Sequence, residues 1–151
     1  MTTTYQRETF DEAYEDAIPL LLNHLAEISD NEGIPLDVNI KAYLQSEKAG
    51  LLRVYTVRDE GRLIGYAAMF VHVGLHNQNN IQATQDVFYV SPLCRGKMVG
   101  IRLLKFIEDQ LKAEKVQIIY HAAKEYHPAL KKLLIHCGYV VTETIYQRRP
   151  T

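Results

Sequence analysis

The chain has 151 residues, 47% of them apolar and 23% charged, with a formal net charge of −1. That balance describes a globular protein able to bury a core, with one domain expected over 1–151. It excludes a global basic field for nucleic acid or an anionic membrane, and no apolar run reaches transmembrane length.

The first residues, MTTTYQRETF, lack a charged-then-apolar leader pattern. Residues 3–9 read as a short strand. FDEAYEDAIPLLLNHLAEI, 10–28, has helical spacing, with Asp11 as the expected N-cap and Pro19 expected to start, kink or split the helix. A loop follows over 29–35, then a second helix over 37–48 with Val38, Ile40, Tyr43 and Leu44 on one apolar face and Gly50 ending it. The period then changes. Residues 51–59 and 63–73 read as an antiparallel hairpin, 74–80 as a polar loop and 81–90 as the next strand of the group. A helix is expected at about 99–114, a strand at 116–122, a short helix at 127–137 stopped by Gly138, and a last strand or strand pair over 139–149. Hairpins early and strand–helix alternation late predict an α/β chain with a mixed sheet, not a doubly wound one.

The stretch SPLCRGKMVGIRLL, 91–104, lies between the 81–90 strand and its helix. A strand that runs through such a loop into a helix presents unpaired backbone N–H groups, reinforced by the helix dipole. Gly96 and Gly100 let a ligand approach the main chain, and Arg95 and Lys97 add positive charge. The arrangement suits a pyrophosphate. It also suits a tight strand-to-helix turn with surface cations, and it matches neither GxxxxGK[ST] nor a dinucleotide GxGxxG.

VFYVSPLCRGKMVGIRLLKFIEDQLK, 87–112, resembles the acyl-CoA signature of the GNAT family of N-acetyltransferases. The family pattern Arg/Gln-x-x-Gly-x-Gly/Ala, after a strand ending in Val-x-Pro, stands here as Arg95-Gly96-Lys97-Met98-Val99-Gly100 after Val90-Ser91-Pro92. HPALKKLLIHCGYVV, 127–141, is similar to the family's second motif, with Gly138-Tyr139 as its Gly-Phe/Tyr pair. The long strand, the histidine-bearing loop and Ala-x-x-Asp at 83–86 resemble phage-type members. The resemblance implies a mostly antiparallel central sheet flanked by about four helices, with the strands at 81–90 and 116–122 splayed around the cofactor. It implies acetyl-CoA as that cofactor. Pantetheine would lie along Phe88, Tyr89 and Val90, and the diphosphate on Arg95, Gly96, Lys97, Met98, Val99, Gly100 and Ile101. His127 would stand near the pantetheine arm. Family members often pair through exposed strands, which implies a homodimer.

The chain departs from the family in four places. Met98 occupies the first glycine position and is expected to pack on an N-terminal helical turn. His127 replaces a frequent asparagine, Leu134 a tyrosine read in the family as general acid, and Ala122 a carboxylate. Asp86, among apolar and amide neighbours, is the preferred base or amine-orienting group. His121 and Tyr126 are the candidates to supply the proton that Leu134 cannot. His72 and His76 do not make a metal site, and Cys94 lacks a paired base. Cys94 and Cys137, without metal spacing or disulfide framework, fit a reducing cytoplasm. The expected activity is acetyl transfer to a primary amine of a small molecule or protein, in an acceptor site shaped by loops 29–37 and 74–81. Asp30, Glu32 and Asp37 make the first of these acidic. The alternative is a non-catalytic acyl-CoA-binding module on the same fold, and a third reading is a modifier of nucleic acid or of a host protein.

Overall fold

The computed structural model describes residues 2–28 and 33–150. Asp30 and Glu32, two of the three acids of the 29–37 loop, lie outside the described residues. In chain order the elements are β1 (Thr3–Glu8), α1 (Phe10–Ile28), α2 (Ile40–Lys48), β2 (Leu52–Asp59), β3 (Arg62–Gly74), β4 (Asn77–Val90), α3 (Val99–Ala113), β5 (Ile118–Tyr120) and α4 (Pro128–His136). The strands form one five-stranded sheet in the order β1-β2-β3-β4-β5. All neighbours are antiparallel except β4 and β5, which run parallel.

Helix α1 is set by a capping box. Thr9 Oγ1 accepts from the Glu12 N–H at 3.2 Å, and Glu12 Oε2 accepts from the Thr9 N–H at 2.7 Å. The cap is therefore Thr9, and Asp11 is a first-turn acid beside the positive end of the dipole. Pro19 neither starts nor splits the helix, which is continuous through it. Helix α2 begins later than expected, where Asn39 Oδ1 accepts from the Ala42 N–H at 3.1 Å.

Helices α1 and α2 cover one face of the sheet through Phe10, Ala13, Ala17, Leu20 and Tyr43. Helices α3 and α4 cover the other through Val99, Leu103, Leu104, Ile107, Leu111 and Leu134. β2 alternates between the two cores: Leu52 and Val54 meet α1, while Tyr55 and Val57 meet α3. This accounts for its near-continuous apolar run.

Three further expectations are corrected. The polar stretch 74–80 is no loop: Leu75 and His76 form the turn, and β4 already begins at Asn77. Cross-strand pairing to β3 overrides the low strand propensity of its Asn and Gln residues. The expected strand at 116–122 shrinks to Ile118–Tyr120. The last strand at 139–149 is absent, and every residue from Val140 to Pro150 is exposed and outside any strand.

Candidate active site

β4 and β5 pair only over Gln82–Ile118, Ala83–Ile119 and Thr84–Tyr120. Beyond Thr84, β4 runs on to Val90 without a β5 partner, so the two strands part as anticipated. A side-chain bridge crosses the start of the gap, where Gln85 Nε2 donates to the Ala122 carbonyl at 3.0 Å.

At the same point β4 carries a bulge. Ala68 pairs with Val87 and Met69 with Gln85, leaving Asp86 as the extra residue. Its neighbours then divide between the two cores. Ala83, Phe88 and Val90 pack toward α3, whereas Val87 and Tyr89 pack toward α1. Asp86 itself is exposed and accepts a short hydrogen bond from the Tyr43 hydroxyl of α2. The Tyr43 ring stacks on Phe10 at 5.0 Å. Burial, then the hydrogen bond to Asp86 and its charge, push the Tyr43 phenol well above its ordinary pKa, so it stays a donor.

The loop after β4 is built from the backbone outward. The Ser91 N–H donates to the Ile64 carbonyl at 2.8 Å, and a single 3-10 turn follows over Pro92–Cys94. Gly96 then takes a φ of 80°, and Met98 a φ of 62° and ψ of 8° directly before α3. Met98 is thus not a packing residue on a helical turn. It is the N-cap in the left-handed region, its side chain 54% exposed. Glycine is the residue that takes this backbone without cost, and that is what the family pattern has there. Gly100 has a packing role as well. A Cβ there would stand 3.0 Å from Leu133 Cδ2, so its bare backbone serves the approach of α4 to α3.

Among the described residues, no acceptor is recorded for the N–H groups from Gly96 to Ile101, and the first amide turned back is Arg102, to the Met98 carbonyl at 3.0 Å. Lys97 lies exposed beside them. Open donors at a helix start beside a lysine fit a diphosphate. The Arg95 side chain is otherwise engaged. Its Nε donates to the Val90 carbonyl at 2.9 Å, its terminal nitrogen pairs with Glu27 at 2.7 Å, and its guanidinium lies 5.5 Å from the Tyr89 ring centre. His127 Nε2 meets the same Glu27 oxygen at 3.1 Å. Arg95 and His127 are brought together, then, by a carboxylate that sequence reasoning missed.

Beneath this cluster His24 is buried. It stacks on Tyr89 at 4.7 Å, and its Nδ1 lies 2.9 Å from the Tyr66 hydroxyl. Burial lowers its pKa to about 4, with the Glu27 charge opposing the shift. The signal for it was present. Ala13, Ala17, Leu20 and His24 recur at helical spacing, which puts the histidine on the core stripe of α1.

His121 lies on the opposite face of the sheet from Asp86. Its Nδ1 is 2.7 Å from Gln85 Oε1, and its ring meets Phe88 and Tyr139 edge-on. Gln85 presents its oxygen there because its nitrogen serves Ala122, which assigns the His121 proton to Nδ1. Nε2 is left as a buried lone pair without a partner, and burial lowers the pKa of the ring to about 4. This makes His121 a neutral acceptor near neutral pH, not the ready proton donor anticipated. Tyr126 lies 52% exposed in the turn before α4, and Leu134 is buried in the α3–α4 core.

A mixed sheet whose fourth and fifth strands part, with open amides where the fourth feeds a helix, defines the acyltransferase class of fold. The chain matches the model of the acetyltransferase (GNAT) family over residues 10–139 and belongs to that family. Solved structures agree. An aminoglycoside acetyltransferase from an uncultured soil metagenomic sample superposes with a TM-score of 0.79 at 9% identity, covering 99% of this chain and 95% of that one. A ribosomal-protein-alanine N-acetyltransferase from Brucella melitensis biovar Abortus 2308 gives 0.77 at 14%, covering 99% of each. A predicted acetyltransferase from Clostridium acetobutylicum, solved with acetyl-CoA, gives 0.73 at 13%, covering 98% and 96%. A comparison with curated protein sequences returns no match. No helix among the described residues is long and apolar enough to cross a membrane.

Proposed function

We propose that this GNAT-family protein transfers an acetyl group from acetyl-CoA to a primary amine by direct attack, within a single domain. The observation that carries the reading is the run of open N–H groups from Gly96 to Ile101 at the start of α3. These amides and Lys97 would hold the diphosphate, and β4 from Phe88 to Val90, on the edge that β5 leaves uncovered, would line the pantetheine arm. Arg95 would act mainly by fixing the loop, since its side chain is committed to Val90 and Glu27. His127 is tied to the same carboxylate.

Acetyl-CoA, when bound, supplies an acyl thioester. The acceptor would approach from the α1/α2 face, where Asp86 is exposed at the bulge and held by Tyr43. There Asp86 would orient the amine and take its proton as the new C–N bond forms. A β4 backbone N–H would stabilise the oxyanion. The C–S bond then breaks, and the departing thiolate takes a proton from the Tyr126 phenol or from water. His121, a neutral acceptor tied to Gln85, would shape the apolar wall of the gap. The acceptor class is a small molecule or a protein carrying an amine. Aminoglycosides and ribosomal-protein alanine, named for two of the structural relatives, are examples of such groups. The unpaired cysteines fit a cytoplasmic setting.

The test is calorimetry with coenzyme A, followed by thiol release with a panel of amines. Saturable binding that is lost when Gly96 is replaced by proline, together with amine-dependent thiol release, is the expected result. Absence of coenzyme A binding overturns the reading. One observation favours the second reading, a non-catalytic acyl-CoA-binding module: the position of the family's phenol is filled by the buried Leu134. Binding without thiol release on any amine would select it.

A further inference from the structure

We infer that His121 Nε2 accepts a hydrogen bond from an amide N–H of the cofactor's pantetheine arm, a positioning contact on the β5 side of the gap. The contact presupposes the acetyl-CoA reading above and gives that site a polar anchor where the reading has only an apolar wall. His121 follows directly on Tyr120, where β5 ends, and β4 has lost its β5 partner after Thr84. Across the fork the imidazole meets the Phe88 ring edge-on at 6.2 Å. Phe88 begins the stretch of β4 assigned to the arm.

The polarity of this corner is set by the backbone. The Ala122 carbonyl can only accept, and Gln85 Nε2 donates to it at 3.0 Å. Gln85 therefore turns its oxygen to His121, and Nδ1–H donates to that oxygen at 2.7 Å. An imidazole with its proton on Nδ1 carries a lone pair on Nε2. Burial lowers the pKa of the ring to about 4, so near neutral pH no second proton arrives there. Each step fixes the next, and the atom at the end of the chain must be met by a donor.

Among the described residues no donor meets it. The other buried polar atoms left without a partner lie elsewhere. Those of Tyr5, Tyr55 and Asp59 are on β1 and β2, with β3 between them and the gap, Asn80 precedes the part of β4 that pairs with β5, and Tyr89 packs toward α1. His127, expected near the arm, has its Nε2 engaged by Glu27 at 3.1 Å. An apolar ring would fill the corner between Phe88 and Tyr139 and leave no atom orphaned. An acceptor held in place by two successive hydrogen bonds suits a ligand that brings an N–H. Of the groups acetyl-CoA would carry into this gap, the thioester has no N–H, and the amides of the arm have one each.

The test is titration calorimetry of the full chain with coenzyme A and, in parallel, with ADP, which has the diphosphate and lacks the arm. His121→Phe keeps a ring against Phe88 and Tyr139. Its affinity for coenzyme A should fall about tenfold, while its affinity for ADP matches the parent. A second measurement is made on the parent and does not depend on the variant folding. The His121 Nε2 nitrogen resonance, identified through the contacts of the ring with Phe88 and Tyr139, should move upfield when coenzyme A is added and stay in place with ADP. Equal affinity of parent and variant for coenzyme A, a loss shared equally by ADP, or an Nε2 resonance that coenzyme A leaves unmoved each overturns the contact and leaves the acetyl-CoA reading standing. A parent that fails to bind coenzyme A at all overturns both.

Discussion

Glu27 and Arg95 meet at 2.7 Å across the seam between the last turn of α1 and the loop that opens α3. The same carboxylate oxygen takes His127 at 3.1 Å, so one acid ties together three segments far apart in sequence. Burial by itself would raise the pKa of Glu27. The hydrogen bond and charge of Arg95, joined by those of His127, outweigh it and hold the carboxyl below its ordinary range.

Replacing Glu27 by glutamine is expected to lower stability at neutral pH by about 1 kcal/mol, the pair being partly exposed and screened. A thermal melt should read this as a fall of roughly 2–4 °C. Because the folded pKa is depressed, this contribution is complete above the ordinary value of 4.5 and is lost as pH falls through the lower folded value. Parent and variant should therefore converge in acid. A gap that persists at the lowest pH where the fold survives would mean that Glu27 acts by packing instead.

His24 sets a different window. Its folded pKa of about 4 lies below the ordinary 6.5, so the unfolded chain takes up the proton first. Stability from this group is level above pH 6.5 and falls as pH drops from 6.5 toward 4, by about 3 kcal/mol over the full displacement. His24→Phe keeps a ring against Tyr89 and should flatten that part of the profile in urea titrations. An unchanged slope would place the titration elsewhere, and buried His121 is the next residue to replace.

Met98→Gly should stabilise the protein. The left-handed backbone costs a side-chain-bearing residue about 1–2 kcal/mol, and the added freedom of glycine in the unfolded chain returns roughly 0.5–1 kcal/mol of that. A net gain of about 0.5–1 kcal/mol is expected, measured by denaturant midpoint, with coenzyme A binding retained. Met98→Val, β-branched in the same conformation, should lose stability.

At Gly100 the effect is steric. Leu133 Cδ2 lies 3.0 Å from the position of a new Cβ, and it is the end of a flexible side chain. Alanine should therefore be tolerated at a small cost. Valine should cost about 1–3 kcal/mol by overpacking the α3–α4 contact. Gly100→Ala matching the parent in coenzyme A affinity would separate this packing role from that of its N–H group.

The Tyr43–Asp86 pair gives the kinetic prediction. Asp86→Asn should lower kcat by about a hundredfold or more while leaving the affinity for acetyl-CoA unchanged. Tyr43→Phe removes one hydrogen bond to a charged acceptor, worth roughly 1.5–3 kcal/mol, and should cost about tenfold or more in kcat/KM for the amine. Equal losses in coenzyme A binding would move both residues out of the acceptor side.

Most of the layer order was legible in the sequence because periodicity reports burial, and burial orders the layers. The apolar run of β2 and the i, i+4 stripes of α1 and α3 are such signals. Thr9-x-x-Glu12 was also present as a capping signature, and only the choice of Asp11 over Thr9 misplaced the cap. The conformation of Met98 was hidden, since the residue type argues against the backbone it adopts. So was Glu27, whose partners lie in the loop after β4 and in the turn before α4. Contacts of that range leave no local period to read.

The bulge at Asp86 gives β4 two parities. Ile81 and Ala83 on one side of it, and Phe88 and Val90 on the other, reach the α3 core only because a residue is inserted between them. Deleting any single residue between Ala83 and Val87 would restore strict alternation and turn one end of the strand over. The chain must then either pull Ile81 and Ala83 out from under α3 or expel Phe88 and Val90, so the exposed Asp86 carboxylate and the integrity of the hydrophobic interior are held by the same spare position.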